Sequence, residues 1–333
     1  GPALTRGTKY YWRIKFWDDD DEEGAWSTEE AYFTLNQLPN TPTNTSPADT
    51  ATNQSLNPTL TSSAFSDPDV GDTHQASRWL ISTASGGSFD ANIVWDSGDD
   101  SSNKTSVVVN ITNGTFQGAL AGKTKLDDST TYYWKVKHQD NHSDWSSYSS
   151  ETSFTTSQPP NTPTNSSPAN EATNQSLNPT LQSSAFSDPD SGQGASHSAS
   201  QWQISTTSGS YNGNTVWDSG EDEGNLTSAV VNTTNGTFKN ALNGETKLAD
   251  STTYYWHVRY KDEQGVWSSW STNTSFTTSQ PPNTPTNSSP ANEATNQSRN
   301  PTLQSSAFSD PDSGAGASHS ASQWQISTTS GSY

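Results

Sequence analysis

The sequence predicts an all-β protein built from tandem sandwich domains, and three observations carry that expectation. An aromatic stretch at 248–277, LADSTTYYWHVRYKDEQGVWSSWSTNTSFT, recurs at 126–155 as LDDSTTYYWKVKHQDNHSDWSSYSSETSFT and at 4–34 as LTRGTKYYWRIKFWDDDDEEGAWSTEEAYFT. Its tyrosines, Tyr10, Tyr132 and Tyr254, fall at a spacing of 122 residues, the length of one repeating unit. Within each copy, apolar and polar residues alternate with period two and no segment shows the 3.6-residue period of a helix, so strands are expected throughout.

Pro/Asn/Thr-rich linkers set the boundaries. QLPNTPTNTSPADTATNQSLNP opens one repeat, QPPNTPTNSSPANEATNQSLNP the next, and the same text with Arg299 in place of Leu opens a third. Prolines at 159, 160, 163 and 168 forbid helix and favour a stiff, extended crossing. The expected organisation is the C-terminal part of a repeat at 1–36, complete repeats at 37–157 and 158–279, and the N-terminal part of a further repeat at 280–333. With no Met anywhere, the sequence reads as a stretch of a longer repetitive protein.

Each repeat then follows one course. A first strand, PTLTSSAF or PTLQSSAF, runs into an acidic turn, SDPDxG, and SRWLIS at 77–82 answers SQWQIS at 200–205 and 322–327. NIVWDSG or NTVWDSG, then SVVVN or SAVVN, supply further strands, and NGTF marks a turn. In the last third, Tyr254, Trp256 and Val258 are expected to face inward, and Tyr255, His257 and Arg259 outward. Lys261 to Gly265 reads as a charged hairpin loop and Trp267 to Thr277 as the returning strand.

Composition constrains the core. Leu, Ile, Val and Phe make up about 12% of the chain, and the net charge is −20, a balance that normally signals disorder. Thirteen Trp and eleven Tyr, mostly at matching positions, offset this, because each buries far more area than an aliphatic side chain. The absence of Cys excludes disulfides and thiolate metal sites. The acidic balance excludes nucleic acid as a partner, and no apolar run is long enough for a membrane span.

Leu248 six residues before Tyr254, with Thr252 two before it, resembles the tyrosine corner of the fibronectin type III family, as do Leu126–Thr130–Tyr132 and Leu4–Thr8–Tyr10. The family's proline is replaced by Arg6, Asp128 and Asp250. Trp267-Ser268-Ser269-Trp270-Ser271 is similar to the WSxWS box of fibronectin-type domains in cytokine receptors, and its reduction to WSSYS at 145–149 marks it as a structural strand feature. The resemblance covers both complete repeats and implies tandem Ig-like, fibronectin type III-like β-sandwiches, like the enlarged repeats of bacterial and archaeal surface proteins. The repeats exceed the usual sandwich length by about 20 residues, placed before the Tyr strand.

Candidate chemistry concentrates in the acidic turn. Asp67, Asp69 and Asp72, with Asp188 and Asp190, and with Asp310 and Asp312 in later copies, alternate before a glycine as oxygen ligands of Ca²⁺ do. In a type III topology this loop shares a pole with the loop holding Asp140 and Asp262, facing the incoming linker, so calcium is the one cofactor the sequence suggests. The competing reading is an Asp-Pro-Asp turn in which Asp caps its own backbone. His74, His197 and His319 close this loop and read as exposed loop histidines, since zinc would need further nitrogen donors. Among fourteen Asn-x-Ser/Thr sequons, Asn103, Asn110 and Asn113 recur as Asn225, Asn232 and Asn235 and are candidate glycosylation sites. Tyr11, Tyr133 and Tyr255 read as cross-strand pairs on an outer face.

The functional expectation is a non-enzymatic extracellular or cell-surface protein, a repeat segment of a stalk, fibre or filament whose partners are neighbouring repeats and other copies of the chain. Two alternatives stand beside it: an adhesin recognising glycans or a host surface, and the spacer region of a secreted polysaccharide-degrading enzyme.

Overall fold

The computed structural model describes residues 3–28 and 31–331. The outermost residues of the two terminal fragments, and residues 29 and 30 within the first, lie outside the described residues. Two compact units account for the chain, one built around the residues up to Gln158 and the other around those from Pro159.

In the first unit, β1 (Lys9–Trp12) and β2 (Ala31–Thr34) form an antiparallel pair. The complete repeat that follows uses β3 (Asn44–Ser46), β4 (Ala51–Gln54), β5 (Thr59–Ser62), β6 (His74–Ser82), β7 (Ile93–Asp96), β8 (Ser106–Val108), β9 (Thr115–Phe116), β10 (Thr131–Asp140) and β11 (Thr152–Thr156). One sheet has the order β3-β5-β8 and the facing sheet β4-β11-β10-β6-β7-β9. This is the two-sheet arrangement of a type III sandwich. The extra length is spent on β9, which adds a short strand beyond β7, and on a 3₁₀ turn that buries Leu120.

The second unit repeats this plan with β12 (Asn165–Ser167), β13 (Ala172–Gln175), β14 (Thr180–Ser183), β15 (His197–Thr207), β16 (Ser210–Asp218), β17 (Ser228–Val230), β18 (Thr237–Phe238), β19 (Thr253–Asp262) and β20 (Thr274–Thr278). Its sheets read β12-β14-β17 and β13-β20-β19-β15-β16-β18. A final pair, β21 (Asn287–Ser289) and β22 (Gln304–Ser305), belongs to the terminal fragment. The remaining regular structure among the described residues is short 3₁₀ turns.

Tryptophan fills the cores. Trp79, Trp95 and Trp134 in one repeat, and Trp202, Trp217 and Trp256 in the other, are fully buried. Trp79 stacks on Trp134 and Trp202 on Trp256, with ring centroids 6.1 Å apart in both pairs. A buried indole N–H needs an acceptor, and main-chain carbonyls supply it: Trp79 Nε1 donates to Asn103 O at 3.0 Å and Trp95 Nε1 to Asn110 O at 3.1 Å. Trp202 and Trp217 repeat this with Asn225 and Asn232. Above Trp95 lies Gly114, where an added Cβ would sit 2.5 Å from the ring, and Gly236 stands over Trp217 at 2.6 Å. The NGTF turn therefore carries glycine because the indole leaves no room for a side chain.

The tyrosine corner forms without its proline. Tyr132 Oη accepts the Asp127 N–H at 3.0 Å, Tyr254 the Ala249 N–H at 3.1 Å and Tyr10 the Thr5 N–H at 2.7 Å. Gly7, Ser129 and Ser251, at equivalent positions, adopt positive φ of 69°, 51° and 50°, which turns the chain into the strand.

Three expectations need correction. Lys261 and Asp262 still belong to β19, so the hairpin loop begins only at Glu263. The segment from Trp267 is not a regular strand as far as Thr274, where β20 begins; there serine main-chain N–H groups donate to carbonyls of β19 while their hydroxyls accept its N–H groups. Ser268 Oγ accepts the Tyr260 N–H and Ser271 Oγ the Val258 N–H, as Ser146 and Ser149 do for His138 and Val136. His257 faces out of the sandwich, yet is 7% exposed, because Tyr211 and Trp270 cover its two faces at centroid distances of 3.5 and 3.8 Å.

Gly114→Ala is expected to lower stability by about 1–3 kcal/mol through overpacking against Trp95, read as a lowered denaturation midpoint. Tyr132→Phe should cost about 1–2 kcal/mol, since the part-buried Asp127 N–H loses its acceptor, and the same assay measures it.

Candidate functional site at the acidic pole

The β5–β6 and β10–β11 loops meet at one end of the first complete repeat, where the Thr73 N–H donates to Asn141 Oδ1 at 2.7 Å. The Asp-Pro-Asp turn forms as its residues dictate: Asp67 Oδ1 accepts the Asp69 N–H at 2.8 Å, and Asp188 and Asp310 accept from Asp190 and Asp312, both at 2.7 Å. This geometry brings the carboxylates of Asp67, Asp69 and Asp72 together, with one oxygen of each within 4.8 Å of the others. Among the described residues no other group of three acidic or histidine side chains comes so close.

The pole closes on the linker from the preceding fragment. Asp69 Oδ2 accepts the Gln37 main-chain N–H at 2.6 Å and Asp69 Oδ1 the Gln37 amide at 3.1 Å. Asn36 Nδ2 donates to Asp140 Oδ2 and to Asp144 Oδ2, both at 2.9 Å. Arg6 grips Asp144 with two bonds at 2.6 and 2.7 Å. These bonds, Arg6 first, hold the Asp144 carboxyl down at about 2, and the Gln37 N–H likewise lowers Asp69. In the second unit the Gln280 N–H donates to Asp312 Oδ2 at 2.5 Å, repeating the Gln37 contact at a second linker.

Asp67 behaves oppositely. Burial raises its carboxyl, and the charges of Asp72, Asp140 and Asp69 add to the rise. Asp188 is raised by burial and then by Asp262, Asp190 and Glu263, so the second repeat also gathers its expected acidic residues. Asp262 and Asp140 are fully buried.

His74 and His197 are not exposed loop residues. Each begins a strand with its ring stacked on a phenylalanine, Phe65 at 4.9 Å and Phe186 at 4.7 Å. His74 also lies 4.4 Å from the His138 ring, whereas His197 meets Tyr260 at the equivalent place. His319 is exposed and stacks on Phe308. His138 is fully buried beside Ser62, and burial lowers its pKa to about 4, with the His74 charge reinforcing the shift.

The candidate glycosylation sites are half-buried and have structural work. Asn110 Oδ1 accepts the Thr112 and Asn113 N–H groups, and Asn232 does the same for Thr234 and Asn235. Asn113 and Asn235 donate Nδ2 to the Val108 and Val230 carbonyls. Asn103 and Asn225 donate to Asp100 and Asp222. Of the outward tyrosines, Tyr11 pairs with Tyr32 across the strands at 6.0 Å. The WSxWS tryptophans sandwich a cation, with Arg259 lying 4.3 Å from the Trp267 ring centroid and 4.6 Å from that of Trp270.

Sequence reasoning found the carboxylates but missed their clamp partners, Asn36, Gln37, Gln280, Asp144 and Arg6. The available signal was a glutamine at the head of each linker: Gln37, Gln158 and Gln280.

The repeats are fibronectin type III-like. Residues 1–35 match the family profile described as the Rha78A-like N-terminal immunoglobulin domain. Among solved structures, the chain is similar to fibronectin(III)-like modules of Clostridium thermocellum CbhA, with 10% identity over 71% of this chain and 93% of that one and a TM-score of 0.29. It is similar to the chicken CNTN1 FN1-FN3 domains, at 12% identity over 83% of this chain and 78% of that one, TM-score 0.31. An α-L-rhamnosidase of Streptomyces avermitilis, complexed with L-rhamnose, shares 14% identity over 70% of this chain and 25% of its own length, TM-score 0.27. No curated protein matches the sequence. The fold assignment rests on strand order and core, which these likenesses accompany.

His138→Tyr, which installs the second repeat's residue, is expected to make the first repeat more resistant to acid. A histidine whose folded pKa is depressed withdraws stability as pH falls from its ordinary 6.5 towards about 4. The full shift corresponds to about 3 kcal/mol. The unfolding midpoint of the variant between pH 6 and pH 4 should fall less steeply than that of the parent.

Proposed function

We propose that this chain is a non-catalytic spacer, the repeat segment of an extracellular stalk, fibre or filament. One observation carries the reading: the acidic pole, where chemistry-bearing side chains converge, is engaged with the linker through Gln37–Asp69, and the contact recurs as Gln280–Asp312. Other charged groups serve the framework in the same way. Asp96 pairs with Arg78 at 2.7 Å, and Glu221 with Lys261 at 2.5 Å. The aromatic WSxWS face is filled by its own arginine, which favours a spacer over a glycan-recognising surface. Neighbouring repeats and other copies of the chain are the partners this reading implies. No helix among the described residues is long and apolar enough to cross a membrane.

The match of residues 1–35 to a domain named for a Rha78A-like protein favours a second reading, the spacer region of a secreted polysaccharide-degrading enzyme. The mechanical role is the same in both. Stretching the chain in a force microscope should give two unfolding peaks, each releasing about 40 nm for some 120 residues. A featureless extension, without discrete peaks, would contradict a role as a load-bearing spacer.

A further inference from the structure

We propose that Asp67, Asp69 and Asp72 form a calcium site on the linker side of the first complete repeat. Three carboxylates converge there within 4.8 Å, and two of them carry a buried oxygen without a donor. The Asp72 side chain is only 10% exposed, its Oδ1 lies 3.3 Å from His142 Nε2, and its Oδ2 is buried with no hydrogen-bond donor. Asp67 Oδ2 is likewise buried without a donor, its other oxygen being committed to the Asp69 N–H. Two buried carboxylate oxygens that lack donors, on two members of one three-carboxylate cluster, are costly without a cation. In the second repeat the corresponding Asp188 Oδ2 is also buried without a donor, but its loop carries no counterpart of Asp72 to complete a cluster of three.

The chemistry selects a hard divalent ion. The ligands are carboxylate oxygens on a loop, and no nitrogen or sulfur donor joins the cluster of three. The site also reaches the linker, because Asp69 holds both the Gln37 main-chain N–H and its amide. A cation drawing Asp69 towards Asp67 and Asp72 would fix the carboxylate that fixes Gln37, so the joint stiffens as calcium rises. That consequence rests on the spacer reading; binding itself does not.

The third carboxylate separates the repeats. Where the first loop reads SDPDVGDTH, the second and third read SDPDSGQGASH and SDPDSGAGASH, without a counterpart of Asp72. One site per chain is therefore expected.

Calorimetric titration of the whole chain, stripped with EDTA, with CaCl₂ tests this. The expected result is one saturable site per chain with a dissociation constant of about 0.1–1 mM, in the range of extracellular modules. Asp72→Asn should weaken it at least tenfold while melting, calcium-free, no lower than the parent, since a like charge has been removed. Absence of saturable heat up to about 10 mM calcium, or unchanged affinity in Asp72→Asn, would overturn the site. Failure of the titration would leave the two unfolding peaks of the spacer test untouched, so the two readings fail separately.

Discussion

The constraint on which the structure depends is that a core so poor in aliphatic residues must be filled with indoles. A tryptophan brings area, but also an N–H that must find an acceptor and a ring too large for its neighbours to ignore. Both demands are visible in the surrounding sequence. The carbonyls of Asn103 and Asn110 receive two of the N–H groups, and Gly114 is stripped of its side chain to clear the second ring. Trp134 Nε1 and Trp256 Nε1, buried without an acceptor in the protein, mark a residual cost shared by both repeats. The asparagine-rich loops that resemble glycan sites are, in the first instance, the seats of these tryptophans.

A second demand follows from the strand that carries Trp134. Its partner β11 pairs with only its first four residues, so the later N–H groups need other acceptors. The serines of WSSYS and WSSWS supply them, and the tryptophans and tyrosine of the same motif lie over the outward cations. The box thus completes the pairing of that strand, main-chain N–H groups donating one way and serine hydroxyls accepting the other, with an outer face closed by basic residues.

Much of this was legible in the sequence. The tyrosine corner survives loss of its proline because the positive φ at Ser129 and the Tyr132 hydroxyl bond do not require it. The Asp-Pro-Asp turn is local, and its self-capping follows from residue type alone. What could not be read depended on long-range neighbours. His74 looked exposed because nothing local reveals that Phe65 and His138 will flank it. His257 alternates outward, yet Tyr211, some 46 residues away in sequence, lies flat upon it. Gln37 looked like linker, although its N–H is the donor that ties linker to pole.

The acidic pole thereby acquires its meaning from the residues it holds, and the account stands on the Gln37–Asp69 contact. Amide hydrogen exchange tests it most directly. Gln37 should exchange slowly in the parent and at least tenfold faster in Asp69→Ala, a loss of about 1.4 kcal/mol of local protection, while amides of β6 and β10 keep their rates. Equal exchange of Gln37 in both proteins would show that the linker is not held there.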